Sequence, residues 1–95
     1  MLALKQAGST LTLAGRRLPD GEPVSEPGDY GRDEYGAWQG MTPNGRIGSL
    51  AGHDVIEHED GTITVSPSIL VHPDQGGWER KGWHGYLERG IWREV

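Results

Sequence analysis

The chain has 95 residues, enough for one domain, and carries a formal net charge of −5. An acidic chain disfavours direct binding to nucleic acid, because Lys and Arg contacts to phosphates supply most of that affinity. The absence of Cys excludes disulfides, thiolate metal ligands and a cysteine nucleophile. The 16 Gly and 6 Pro interrupt any long helix, and no apolar run reaches the ~20 residues that span a bilayer. We therefore expect a soluble, cytoplasmic protein with no membrane partner.

The first part of the chain is expected to form one hairpin and one long loop. Leu2 and Leu4 alternate with polar or small residues, as Leu11 and Leu13 do, and Ala-Gly-Ser between them can supply a turn. Residues 19–36 are rich in Pro, Gly and acids and poor in apolar side chains, which predicts a long acidic loop.

Two hairpins are predicted in the middle of the chain. An Asn-Gly dipeptide, the strongest two-residue turn signal, separates expected strands near 37–41 and 46–50. The clearest hairpin joins residues 55–58 to residues 62–65, where β-branched polar and apolar residues alternate. The following Ser-Pro-Ser at 66–68 is expected to bend or end that strand, because proline has no N–H for the hydrogen-bond ladder.

The C-terminal segment predicts a last hairpin, with arms at 83–87 and 91–95 around Glu-Arg-Gly. Aromatic residues occur on both faces of it, which is typical of a ribbon covered on both sides or of part of a closed barrel. The series of hairpins predicts a mostly β fold, either a small single-domain antiparallel barrel or a sandwich.

Aromatic residues are the expected core, since the chain has no Phe and each buried ring removes on the order of 150–250 Å² from water. Trp38, Trp83 and Trp92 are assigned to that core, and Ile91 of the last hairpin is expected to pack with them. Trp78 lies in the polar, Gly-rich segment QGGWERKG, which favours an exposed contact residue instead.

Histidines raise the hypothesis of a metal site, and the chain has four of them: His53, His58, His72 and His84. His53 and His58 are an odd number of positions apart, so on one strand they point to opposite faces. A composite site formed by His53, His72 and His84 across strands stays open. Because no spacing matches a metal motif, we expect no metal and no other cofactor.

Motifs of catalysis are absent from the sequence. Ser66 and Ser68 flank a proline and are not part of the G-x-S-x-G pattern of a nucleophile elbow. The segment GRIGSLAG at 45–52 contains glycines but not the spacing of a phosphate-binding loop. We therefore expect that the protein is not an enzyme.

Two segments of the second half carry a resemblance to known sequences. They are TITVSPSI, from Thr62 to Ile69, and HGYLERGIW, from His84 to Trp92. This pattern resembles a family of small phage and bacterial proteins and implies a phage or prophage origin. Some bacterial relatives have Cys near this histidine and have been suspected of binding metal, whereas this chain has none. Short, acidic phage proteins without Cys include inhibitors of host defence such as anti-CRISPR proteins, which present carboxylates to basic nucleic-acid-binding surfaces.

The hypothesis that follows is a protein-binding module, a monomer or homodimer, that inhibits a host defence complex of the CRISPR type. Its partner is a host protein or complex with a basic surface, and it does not itself bind nucleic acid. The expected partner-binding residues form two acidic clusters and one aromatic contact: Asp20, Glu22, Glu26, Asp29, Asp33, Glu34, Asp54, Glu57, Glu59, Asp60 and Trp78. Two alternatives stay open, namely a small metal-dependent enzyme that uses the histidines and a phage structural or accessory protein that works by assembling.

Overall fold

The structure is a computed structural model that describes residues 5–7, 10–71 and 82–95, with side chains described from residue 12 onward. Within these ranges the chain forms ten strands: β1 Lys5–Ala7, β2 Thr10–Ala14, β3 Arg16–Arg17, β4 Asp29–Arg32, β5 Trp38–Met41, β6 Ile47–Ser49, β7 Asp54–Glu57, β8 Ile63–Val71, β9 Trp83–Glu88 and β10 Ile91–Glu94. The mostly β fold expected from the sequence is confirmed. Among these described residues there is no helix with the length and apolar character needed to cross a membrane.

The strands form two sheets that share one core. The larger sheet has the order β1-β2-β10-β9-β8-β7, and all of its pairings are antiparallel. The smaller sheet has the order β3-β4-β5-β6, in which β3 and β4 are parallel and the other pairs are antiparallel. The barrel or sandwich closure suggested by the sequence stays a prediction.

The predicted hairpins are observed wherever the structure describes their residues. The pairs β1–β2, β5–β6, β7–β8 and β9–β10 are all antiparallel neighbours, as the turn signals and alternation indicate. At the expected bend, β8 continues through Pro67, but its register with β9 shifts between Val65 and Ile69. This irregularity in the pairing coincides with the residue that has no N–H to offer to the ladder.

The acidic segment 19–36 is not one uninterrupted loop. Residues 29–32 form β4, which pairs with β5 and places the Tyr30 side chain, 1% exposed, in the core. The tyrosine ring supplies buried apolar area to a segment that otherwise has little of it, and this burial explains why a strand forms there.

One large core cluster lies between the sheets, and Trp92 is at its centre. The cluster contains Leu13, Tyr30, Leu50, Ile63, Val65, Ile69, Trp83, Leu87 and Trp92. The rings of Trp83 and Trp92 meet edge to face with their centroids 5.7 Å apart. The Trp92 indole Nε1 donates a buried 2.9 Å hydrogen bond to the Gly28 carbonyl, which joins the larger sheet to the start of the smaller one.

The expectation that Ile91 packs in this core is wrong, because its side chain is 41% exposed. Adjacent residues of a strand point to opposite faces, so Ile91 and Trp92 cannot both enter the core, and the larger ring does. Trp38 is only half-buried at the margin of the core.

Gly85 on β9 lies at a closely packed point of the last hairpin. A methyl group there would collide with the Arg93 carbonyl oxygen and would lie 2.5 Å from Cη2 of Trp83. Since backbone and a buried ring cannot both retreat, Gly85→Ala is expected to lower the free energy of unfolding by about 1–3 kcal/mol. Gly48→Ala is the control, because nothing lies within 4 Å of a methyl group at that position. Urea unfolding of both variants measures the difference, and equal stability of the two would contradict the close approach.

Candidate functional site

Arg17 and Arg32 bring together the two acidic clusters of the sequence, which lie at residues 20–34 and 54–60. Arg17 Nη1 lies 2.9 Å from Glu57 Oε2, and its Nη2 lies 3.3 Å from Asp20 Oδ1. Arg32 Nη2 lies 3.0 Å from Glu57 Oε1, and its Nε lies 3.6 Å from the same Asp20 oxygen. Glu57 is 40 positions from Arg17 in the sequence, so no local pattern could have revealed this network.

Trp38 holds both arginines in place. The guanidinium carbons of Arg17 and Arg32 each lie 4.8 Å from its ring centroid, within the range of a cation–π contact. Burial by itself would lower the pKa of Arg17, but hydrogen bonds to Glu57 and Asp20 outweigh it and raise that pKa above the ordinary arginine value. Sequence reasoning placed Trp38 in the core and missed this role, because Arg32, its partner in the β4–β5 pairing, lies in a segment that was expected to be a loop.

Further acidic side chains lie on the two tight turns that follow β4 and β7, the strands that carry Arg32 and Glu57. The β4–β5 turn carries Asp33, Glu34 and Tyr35, and the β7–β8 turn carries Glu59 and Asp60. We define the acidic face as these five residues together with Asp20 and Glu57. A depression of about 260 Å³ is lined by the first turn and the 21–23 segment. A second depression, of about 420 Å³, is lined by residues 57–60 and Arg89.

The carboxylates of the acidic face are of two kinds. Asp33 accepts hydrogen bonds from the backbone N–H groups of Tyr35 and Ala37, at 2.8 and 2.9 Å, and thereby shapes its own turn. Hydrogen bonds from the Thr62 hydroxyl and backbone N–H similarly hold Asp60 and lower the pKa of its carboxyl. The exposed side chains of Glu34 and Glu59 make no ion pair or hydrogen bond within the described part of the chain, and are therefore available to a partner.

Asp29, a predicted partner contact, instead forms a structural ion pair with Arg16. Its side chain is buried and receives both Nε and Nη2 of Arg16, each at 3.0 Å. Burial by itself would raise the pKa of Asp29, but these bonds and those from the backbone N–H groups of Ser25 and Glu26 outweigh it and lower the pKa. A buried carboxylate with these partners cannot also meet another protein.

Three further predicted contacts are exposed acids that are not part of the acidic face as defined above: Glu22, Glu26 and Asp54. Asp54 is exposed but begins β7, about 10 Å along the strand from Glu57 at its end. Glu22 lies between Gly21 and Pro23, which line the first depression, whereas Glu26 lies three residues before Asp29, the first residue of β4. Trp78 falls outside the described residues.

The histidines are distributed over separate contacts. His58 Nε2 lies 2.7 Å from Thr64 Oγ1, whereas His53 and His84 both contact Ser68, at 3.3 Å to its carbonyl oxygen and 2.9 Å to its hydroxyl. His72 lies outside the described residues. Within residues 5–7, 10–71 and 82–95, no three His, Cys, Asp or Glu side chains are grouped to hold a metal ion. The composite metal site across strands accordingly stays a hypothesis.

Comparisons with protein-family models, curated proteins and solved structures found no match to this chain. The resemblance of its second half to small phage and bacterial proteins therefore stays a prediction. The acidic face becomes the candidate site on its geometry alone.

Proposed function

We propose that the protein is a binding module that inhibits a nucleic-acid-binding complex of host defence, of the CRISPR type, by covering a basic surface of that complex. The joining of the two acidic clusters supports this proposal most directly. Arg17 and Arg32 place Asp20 beside Glu57, so acids from two distant parts of the chain contribute to one surface.

The charge of the acidic face suits a basic partner. Asp20 and Glu57 are neutralised by two arginines, while Asp33, Glu34, Glu59 and Asp60 form no ion pair with any residue that the structure describes. Surfaces that bind nucleic acid are rich in Lys and Arg, because they neutralise phosphates. Exposed carboxylates on a protein of net charge −5 attract such surfaces and accelerate the encounter.

Tyr35 adds an anchor of the kind that dominates protein interfaces. Its side chain is 87% exposed beside Glu34, and its backbone N–H is held by Asp33. A large aromatic residue on a turn that is already ordered contributes apolar area at a small cost in conformational entropy.

The test is retention of purified CRISPR-type effector complexes on the immobilised protein at ~0.05 and ~0.5 M salt, which shortens the Debye length from about 14 to about 4 Å. We expect retention at low salt that is lost at high salt and is prevented by the nucleic acid of the complex. Glu34→Gln with Glu59→Gln is expected to weaken binding about tenfold, because each exposed charge pair contributes about 0.2–1 kcal/mol.

The matched control carries Glu26→Gln with Asp54→Asn, which removes the same charge from two exposed acids outside the acidic face. It should bind like the unchanged protein if the face, and not the net charge, is recognised. Equal weakening in both double variants, or no retained complex at low salt, would refute the proposed site.

A further inference from the structure

The larger sheet ends in a strand with an open edge. β7 pairs with β8 on one side, in an unbroken register from Asp54 to Glu57, and no other strand that the structure describes pairs with it. The other edge strands, β1, β3 and β6, have only two or three residues each. β7 therefore offers the longest regular edge in the described part of the chain.

The register shows which backbone groups of β7 point outward. The His58 N–H donates to the Thr62 carbonyl at 2.8 Å, and from this pair the residues that bond with β8 alternate back along the strand. The backbone groups of Ile56 accordingly bond with β8, whereas those of Val55 and Glu57 point away from it. No described residue donates to these outward groups or accepts from them.

This edge lies far from the points where the described ranges end. Val71, which precedes residues 72–81, is eight positions along β8 from Ile63, the partner of Glu57, a distance of about 26 Å on an extended strand. β1, beside the N-terminal residues outside the description, lies at the other end of the sheet order, five strand spacings or about 24 Å from β7.

The side chains of β7 also favour the addition of a strand. Val55 packs against the core, and Ile56 on the opposite face is 57% exposed. Pro, a bulge or Lys often blocks pairing at an edge strand, and β7 contains none of them. Its charged side chains are all acidic, so the edge repels acidic strands and attracts basic ones.

The charges argue against a second copy of the chain as the occupant. Residues 54–60 contain four acids and no Lys or Arg. Two copies paired along β7 would double this number within one strand pair and its turns, and like charges on adjacent strands are destabilising. A basic segment meets opposite charge instead. Glu59 and Asp60 lie on the turn after β7 and belong to the acidic face, so a strand laid along β7 leads onto that face.

We propose that β7 binds an extended basic segment of the partner protein by strand addition. The segment forms backbone hydrogen bonds with Val55 and Glu57, places an apolar residue beside Ile56, and continues with Lys or Arg toward Glu59 and Asp60. In this mode the main chain supplies affinity and alternate side chains supply selectivity. The inference rests on the proposed function for the identity of the partner, and adds that the host complex must offer an unpaired, extended segment.

The probe is a short capped peptide with two central valines flanked by arginines, a pattern that is the same in both directions. A matched peptide with N-methyl groups on both valines keeps the charge but cannot donate these backbone hydrogen bonds. Amide hydrogen exchange of the whole chain, followed by NMR, locates the contact. In the free protein the Val55 and Glu57 amides should exchange fast and the Ile56 amide slowly. The unmodified peptide should slow exchange at Val55 and Glu57 at least ~tenfold at saturation, and the N-methylated peptide should not.

Two variants separate the edge from the net charge. Ile56→Lys and Ile91→Lys each add a positive charge to an exposed position of the larger sheet, but Ile91 lies on β10, three strand spacings or about 14 Å from β7. Ile56→Lys should weaken binding of the unmodified peptide at least ~threefold, and Ile91→Lys should leave it unchanged. Equal weakening in both variants would show that only the net charge is recognised.

Strand addition is overturned by slow exchange of the Val55 amide in the free protein, by absence of peptide binding, or by equal binding of the two peptides. If effector complexes are still retained at low salt, the proposed function then stands without strand addition. Protection of Val55 and Glu57 by the peptide with no retained complex would instead refute the host complex as the partner and support the edge as a site for basic strands.

Discussion

Replacing Trp92 with alanine is expected to lower the free energy of unfolding by about 3–5 kcal/mol. The indole is 1% exposed, packs edge to face on Trp83 and donates to the Gly28 carbonyl of the other sheet. Removal of the ring opens a cavity at the point where the two sheets meet. Because a domain of this size has a total stability of about 5–15 kcal/mol, the variant should be partly or wholly unfolded near 37 °C.

A series of substitutions separates the contribution of the Trp92 ring to stability from the contribution of its hydrogen bond. Trp92→Phe keeps most of the apolar area and should cost about 1–2 kcal/mol, since the Gly28 carbonyl still accepts from the Arg16 N–H at 3.1 Å. Ile91→Ala on the same strand is the control and should cost about 1 kcal/mol or less, because Ile91 is 41% exposed. Thermal and urea unfolding report the order, and a Trp92→Ala variant as stable as Ile91→Ala would contradict the central role of the ring.

Asp29→Ala is expected to lower the free energy of unfolding at pH 7 by about 2–3 kcal/mol, because it removes charge-assisted hydrogen bonds and leaves two backbone N–H groups without their acceptor. Arg16, the other partner, is 60% exposed and returns to water, so the loss stays below that of a fully buried pair.

The same residue predicts a pH dependence with a definite sign. The pKa of Asp29 is lower in the folded protein than its ordinary value of 3.8, so its contribution is complete above that value. The contribution is lost as pH falls through the lower folded pKa, when the folded protein must also take up the proton. The stability difference between the unchanged protein and Asp29→Ala should therefore be largest near neutral pH and shrink below pH 3.8.

Urea unfolding between pH 7 and pH 2.5 checks this expectation. Glu26→Gln serves as the control, since this exposed acid of the same segment should change stability by no more than about 0.5 kcal/mol at any pH. A difference for Asp29→Ala that is independent of pH would show that the loss comes from packing and not from the ion pair.

The sequence by itself determined the elements whose signals are local. Alternation with a period of two, Asn-Gly and Gly-containing turns and the frequent Gly and Pro predicted β hairpins, and four of them are observed. These signals work because a turn and the two strands beside it depend on residues only a few positions apart.

Only the tertiary structure decided which residues of those elements meet. Asp29 and Tyr30 are buried within a segment whose composition is typical of a loop, and Trp92 enters the core in place of Ile91. Composition showed two acidic clusters, but contacts across 40 positions made them one face. Such contacts depend on how two sheets pack against each other, and a single sequence carries no periodic or spacing signal for that arrangement.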